Sequence, residues 1–177
     1  MNLPNKLTIL RVILIIPFCI IMLTGWPGSA GKWIAVTIFV VASITDMLDG
    51  MIARKNGLVT NFGKFMDPLA DKLLVCAALI CLMDRSAIPA WAVIIIMSRE
   101  FIISGFRLVA SDSGVVIAAS YFGKFKTVSQ MVMIIMMICD FEILKPLTIL
   151  AMYVAVISTV ISLVDYIVKN KEVIKDK

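Results

Sequence analysis

Residues Pro146–Val168 read PLTILAMYVAVISTVISLVDYIV, a run with one charged residue, Asp165. An α-helix rises 1.5 Å per residue, so about 20 apolar residues cover the roughly 30 Å of hydrocarbon in a bilayer. This run is therefore read as a membrane-crossing helix. Working back towards the N-terminus, the same reading applies to Tyr121–Asp140, Ile88–Val109, Asn61–Met83, Trp33–Ala53 and Leu7–Leu23, each bounded by charged or Gly/Pro-containing breaks. No alternation of the kind a membrane barrel requires is visible, and open strands would leave backbone groups unsatisfied in lipid. The expected fold is all-α and polytopic, with six transmembrane helices in one domain over residues 1–177. Met1–Arg11 runs directly into a segment long enough to span. No small-x-small site precedes Trp26, so the first segment is expected to be retained and not cleaved as a signal peptide.

Composition supports this class: 61% of the residues are hydrophobic, and the mean hydropathy is +1.02. Lys and Arg concentrate on the cytoplasmic side of membrane proteins. With the N-terminus cytoplasmic, that side receives Lys6, Arg11, Arg54, Lys55, Lys64, Arg107, Lys124, Lys126, Lys169, Lys171, Lys175 and Lys177, and the far side only Lys32, Arg85 and Lys145. Both termini are expected inside. Attraction to anionic lipid headgroups accounts for the net charge of +5 without a nucleic acid partner. Cys19, Cys76, Cys81 and Cys139 lack metal-ligand spacing and read as small hydrophobes, and the methionines as packing residues.

Function concentrates at the junction of the second and third segments. There the chain reads Asp46-x-x-Asp49-Gly50-x-x-Ala53-Arg54, then eight residues, then Gly63-x-x-x-Asp67-x-x-x-Asp71. Residues three or four apart share a helix face, so Asp46 pairs with Asp49, and Asp67 with Asp71. Folding the chain into a hairpin near Gly57 and Leu58 sets Asp46 level with Asp71 and Asp49 level with Asp67. Carboxylates near lipid cost roughly 2.5–3.5 kcal/mol each on insertion scales, and clustered anions repel unless a cation intervenes. The chain has no histidine. The ligands on offer are oxygens, which suit Mg²⁺, Mn²⁺ or Ca²⁺ and argue against zinc. Two divalent ions would balance four carboxylates, an arrangement used for displacement at phosphorus. Gly50 and Ala53 leave the helix surface bare, Arg54 supplies a planar fork for phosphate, and Gly63 marks another close approach or the start of the third helix. Pro68 is expected to start or kink that helix.

The full string D-x2-D-G-x2-A-R-x8-G-x3-D-x3-D resembles the signature of the CDP-alcohol phosphatidyltransferases at all eight fixed positions, and span count and orientation agree over nearly the whole chain. The resemblance implies a six-helix enzyme, usually a homodimer, that moves a phosphatidyl or similar group from a CDP-linked donor to an alcohol. It implies that Asp46, Asp49, Asp67 and Asp71 hold two divalent cations, Mg²⁺ or Mn²⁺, and that Asp71 is the general base. It further implies that Gly50, Ala53, Arg54 and Gly63 line the cytidine diphosphate site. Asn5 and Thr8, in Pro4-Asn5-Lys6-Leu7-Thr8, resemble the family's Asn-x-x-Thr and would touch the nucleotide; on physical grounds Asn5 serves equally as a helix N-cap.

The remaining basic residues bear on the acceptor. Arg107, Lys124 and Lys126 flank one cytoplasmic connection and can converge on a phosphate-bearing acceptor. Read plainly, they are positive-inside residues meeting headgroups. Arg99 lies near the middle of its span beside Glu100, either as a structural ion pair or as a further phosphate ligand. The strings Asp67-Pro-Leu-Ala-Asp-Lys72, Ser98-Arg-Glu100 with Arg107, and Gly123-Lys-Phe-Lys-Thr127 resemble the family's bacterial phosphatidylglycerophosphate synthases. That implies CDP-diacylglycerol as donor, sn-glycerol 3-phosphate as acceptor, membrane lipids as surroundings, and a bacterial plasma membrane with the active site facing the cytoplasm. Alternative acceptors are inositol phosphate, serine or phosphatidylglycerol. A divalent-cation or proton-coupled transporter is the rival class. Its sites usually lie at the midplane with repeats in both halves, whereas these acids gather near one face.

Overall fold

A computed structural model describes the backbone of residues 3–55, 61–112 and 120–170, and the side chains of residues 6–45, 66, 69–110 and 120–170. Six α-helices follow one another: α1 (Leu3–Thr24), α2 (Ser29–Lys55), α3 (Asn61–Asp84), α4 (Ala90–Asp112), α5 (Tyr121–Cys139) and α6 (Lys145–Lys169). A short 3-10 turn, Glu142–Leu144, precedes α6. There is no strand among the described residues. The helices contain 19 to 27 residues, roughly 28–40 Å at 1.5 Å per residue. Among the described residues, Lys6–Thr24, Tyr121–Cys139 and Glu142–Lys169 are long and apolar enough to cross a membrane, and a shorter apolar stretch covers Ser29–Thr45.

The helices coincide with the expected segments apart from shifts of up to four residues at their ends, two of which have a clear local cause. The fourth span was placed from Ile88, but α4 opens at Ala90, because Pro89 lacks an N–H and sits before the helix, its carbonyl taking the amides of Ala92 and Val93. The fifth span was placed to Asp140. That residue is instead the left-handed cap of α5, at φ 46°, with its N–H bonded to the Met136 carbonyl at 3.1 Å. Helix α3 starts at Asn61 and runs through position 68, so Pro68 does not open it. Asn5 lies inside α1, not at its start, and the capping alternative is not realised. The hairpin turn near Gly57 and Leu58 falls outside the described residues.

The chain forms two compact units, Met1–Ala87 and Ile88–Lys177. In the first, α1 lies against both α2 and α3, which touch each other less. Ala35, Ala42, Ala70 and Ala78 are fully buried and let the helix backbones approach, and Phe18 packs on Phe39 with ring centroids 6.2 Å apart. Between α1 and α2 the chain turns through Gly25 (φ 68°) and Gly28 (φ 70°). In the second unit, α6 packs on α4 and α5.

Both units bury polar side chains among the apolar ones of their interiors while turning large apolar side chains outward. On α1, Thr8 and Arg11 are buried while Leu10, Ile13, Ile16, Ile20 and Leu23 are exposed; on α6, Ser158, Thr159, Ser162 and Tyr166 are buried while Leu150, Val154, Ile157, Ile161 and Val164 are exposed. In water this arrangement would be unstable. In lipid, where tails solvate apolar side chains and helices associate through small and polar residues, it is the stable one. Exposed Trp26, Trp33 and Trp91 at helix ends fit the aromatic belt of a membrane interface. The protein is an all-α membrane protein.

Candidate active site

The acidic string is split between two helices of the first unit. Asp46, Asp49, Gly50, Ala53 and Arg54 occupy the last three turns of α2, and Gly63, Asp67 and Asp71 the first three turns of α3. The backbone thus carries each pair at the three- and four-residue spacing that shares a face. Of these residues the described side chains include only that of Asp71, which is half-buried and engaged in an interaction. Among the described residues no group of three or more His, Cys, Asp or Glu side chains gathers as a metal site; the side chains of Asp46, Asp49 and Asp67 fall outside them. Thr8 is fully buried on α1, and Arg11, one turn later on the same face, is buried with it and also engaged. By charge and position alone Arg11 is a topology residue. Its place one turn from Thr8 was the signal for an inward-facing role.

The second unit contains a charged cluster drawn from three helices. Glu100 on α4 accepts from Arg99 Nη1 at 3.1 Å through Oε1, and the same oxygen is paired with Lys126 Nζ of α5. Arg99 Nη2 donates to Ser162 Oγ of α6 at 2.7 Å. Lys126 is 3% exposed and Arg99 is 9% exposed. Two cations thus meet at one carboxylate oxygen, away from water, where electrostatic interactions are stronger than in solution. The alternative of an Arg99–Glu100 ion pair is therefore realised, and it extends to Lys126, a candidate phosphate ligand whose pairing with Glu100 the sequence does not reveal. Ser120 caps α5 by accepting the Gly123 N–H at 3.1 Å, and a Cβ on Gly123 would lie 3.6 Å from Arg99 Nη2. The first turn of α5 thus runs beside this guanidinium.

The other two candidate phosphate ligands are not gathered at Glu100. Lys124 is exposed. Arg107 is exposed too, with its guanidinium 6.0 Å from the centre of the Tyr166 ring, a cation–π contact. Tyr166 is buried and meets Phe106 edge-on at 6.1 Å.

Comparison with known proteins identifies the family. The sequence model of the CDP-alcohol phosphatidyltransferase family matches residues 1–162. The chain belongs to this family. Among its curated members, the CDP-diacylglycerol--glycerol-3-phosphate 3-phosphatidyltransferase of Bacillus subtilis is 46% identical, over 98% of this chain and 97% of that one. An enzyme of the same name from Haemophilus influenzae is 39% identical, over 94% and 91% of the two chains. A probable phosphatidylglycerophosphate synthase of Mycobacterium tuberculosis is also 39% identical, over 95% and 81%. The family match begins before Asn5 and Thr8 and extends to Ser162, so it takes in both the acidic string and the charged cluster.

Proposed function

We propose that this protein transfers the phosphatidyl group of CDP-diacylglycerol to sn-glycerol 3-phosphate, giving phosphatidylglycerophosphate and CMP. The observation that carries the reading is the 46% identity, over nearly the full length of both chains, to a relative named for that reaction. Arg99 and Lys126 support it, since two buried cations side by side suit an acceptor that brings its own phosphate.

In this reading, Asn5, Thr8, Gly50, Ala53, Arg54 and Gly63 hold the cytidine diphosphate end of the donor. Arg99, Lys126, Arg107 and Lys124 hold the acceptor's phosphate. Asp71 accepts the proton of the acceptor's hydroxyl as that oxygen attacks the donor's β-phosphorus, and the bond to CMP breaks as the new phosphorus–oxygen bond forms. A carboxylate is the natural base in a chain without histidine. The donor set fits hard divalent cations: Asp46, Asp49, Asp67 and Asp71 offer only carboxylate oxygen. Two Mg²⁺ or Mn²⁺ ions bound there would neutralise charge on the pyrophosphate. The six helices are read as six spans of one domain in a bacterial plasma membrane, with both termini and the site cytoplasmic, and the working form as a homodimer.

The test is CMP release from CDP-diacylglycerol in detergent micelles. It would use glycerol 3-phosphate, inositol phosphate or serine as acceptor, with Mg²⁺, with Mn²⁺, and after chelation by EDTA. Release only with glycerol 3-phosphate, lost on chelation and absent in Asp71→Asn with the melting temperature kept, is the expected result. Release with another acceptor would overturn the acceptor assignment, and release that survives chelation would overturn the metal.

A further inference from the structure

Gln130 has no part in the roles above. It stands on α5 one turn after Lys126, is 3% exposed, and neither its amide oxygen nor its amide nitrogen has a hydrogen-bond partner. A glutamine amide offers two donors and an acceptor. Buried with all of them unmet, it destabilises a helix bundle that an apolar side chain of the same length would stabilise. Its surroundings on α5 are otherwise apolar, with Met133, Ile134 and Met137 buried further along. On the other side stands the charged cluster, where Arg99 Nε is likewise buried and unmatched. Among the described residues, the other unmatched buried atoms of the unit are Asp165 Oδ2 and the Tyr166 hydroxyl on α6; at Gln130 itself the unmet groups are N–H donors and one carbonyl acceptor. A carboxylate could not serve the Gln130 oxygen, and an apolar group would leave both amide atoms unsatisfied. A hydroxyl both donates and accepts, and fits.

We infer that Gln130 binds the acceptor hydroxyl that does not react, while Arg99 and Lys126 hold the acceptor's phosphate. This rests on the proposed reading of those two cations as phosphate ligands. Residues four apart on a helix have Cβ atoms about 5–6 Å apart, the scale of a three-carbon polyol phosphate. Gln130 is then the residue that selects a polyol phosphate over a simple alcohol phosphate. Sites built to hydrogen-bond a hydroxyl reject analogues without it, because their own polar groups are left unpaired.

The experiment compares wild type with Gln130→Leu and Gln130→Met in detergent. It measures CMP release with sn-glycerol 3-phosphate and with propane-1,3-diol monophosphate, which keeps the reacting hydroxyl and the phosphate but lacks the middle hydroxyl. Wild type is expected to favour glycerol 3-phosphate by about tenfold or more in kcat/KM. Both variants should bring the two acceptors to near parity, with the KM for CDP-diacylglycerol unchanged and the melting temperature equal or higher. A variant that keeps the wild-type preference, or loses kcat/KM equally for both acceptors, would overturn the role of Gln130 alone. Wild type that releases no CMP with either acceptor would remove the functional reading and this inference together.

Discussion

At position 126 the sequence places a lysine where the helix faces inward, and the structure answers with Glu100, whose oxygen also receives Arg99 at 3.1 Å. A lone charge at the centre of a membrane helix costs roughly 2.5–3.5 kcal/mol, and removing one partner of a buried pair leaves the other uncompensated, at about 3–5 kcal/mol. Glu100→Gln should therefore lower the melting temperature in detergent markedly, and Glu100→Gln combined with Lys126→Met should recover much of the loss. Equal destabilisation by the single and double variants would show that Lys126 does not depend on Glu100. Ser162 acts on the same guanidinium from a third helix. Ser162→Ala should raise the KM for glycerol 3-phosphate several-fold and leave the KM for the donor unchanged, as expected of a residue that positions Arg99. A matching change in both KM values would argue for a general loss of structure instead.

At the scale of the element, α5 shows how short segments are given definite ends. Ser120 in extended geometry accepts the Gly123 N–H, and Asp140 turns left-handed to close the helix. Ser120→Ala should cost about 1 kcal/mol, seen as a lower melting temperature. Because the capped turn runs beside Arg99, acceptor KM should rise with it. The six helices were legible because apolar length and flanking charge are properties of composition. The ends were less so: Pro89 and Asp140 moved them by one or two residues through backbone effects that hydropathy does not register. The acidic string was legible because its spacing matches the helical period. Gln130, Ser162 and Arg11 were not, because one polar residue in an apolar run does not reveal which side of the helix will face its neighbours. That is fixed by packing, and only in the folded unit do Gln130 and Arg11 prove to be inside.

Across the whole molecule, both units turn large apolar side chains outward and bury a few polar groups among apolar ones. The proposed topology puts the α5–α6 turn outside the cell and the end of α6 inside. A membrane-impermeant thiol reagent applied to intact cells should therefore label Glu142→Cys, and label Lys169→Cys only after permeabilisation; the reverse would invert the topology. Two lysine–glutamate pairs among the described residues of the second unit lie in different surroundings. Lys145–Glu142 is 59% and 88% exposed in its side chains, Lys126–Glu100 only 3% and 16%. Raising ionic strength from about 0.1 M to 1 M shortens the Debye length from about 10 Å to about 3 Å. Mobile ions reach the first pair and not the second, so the pair that joins α4 to α5 should hold equally in fresh water and in brine.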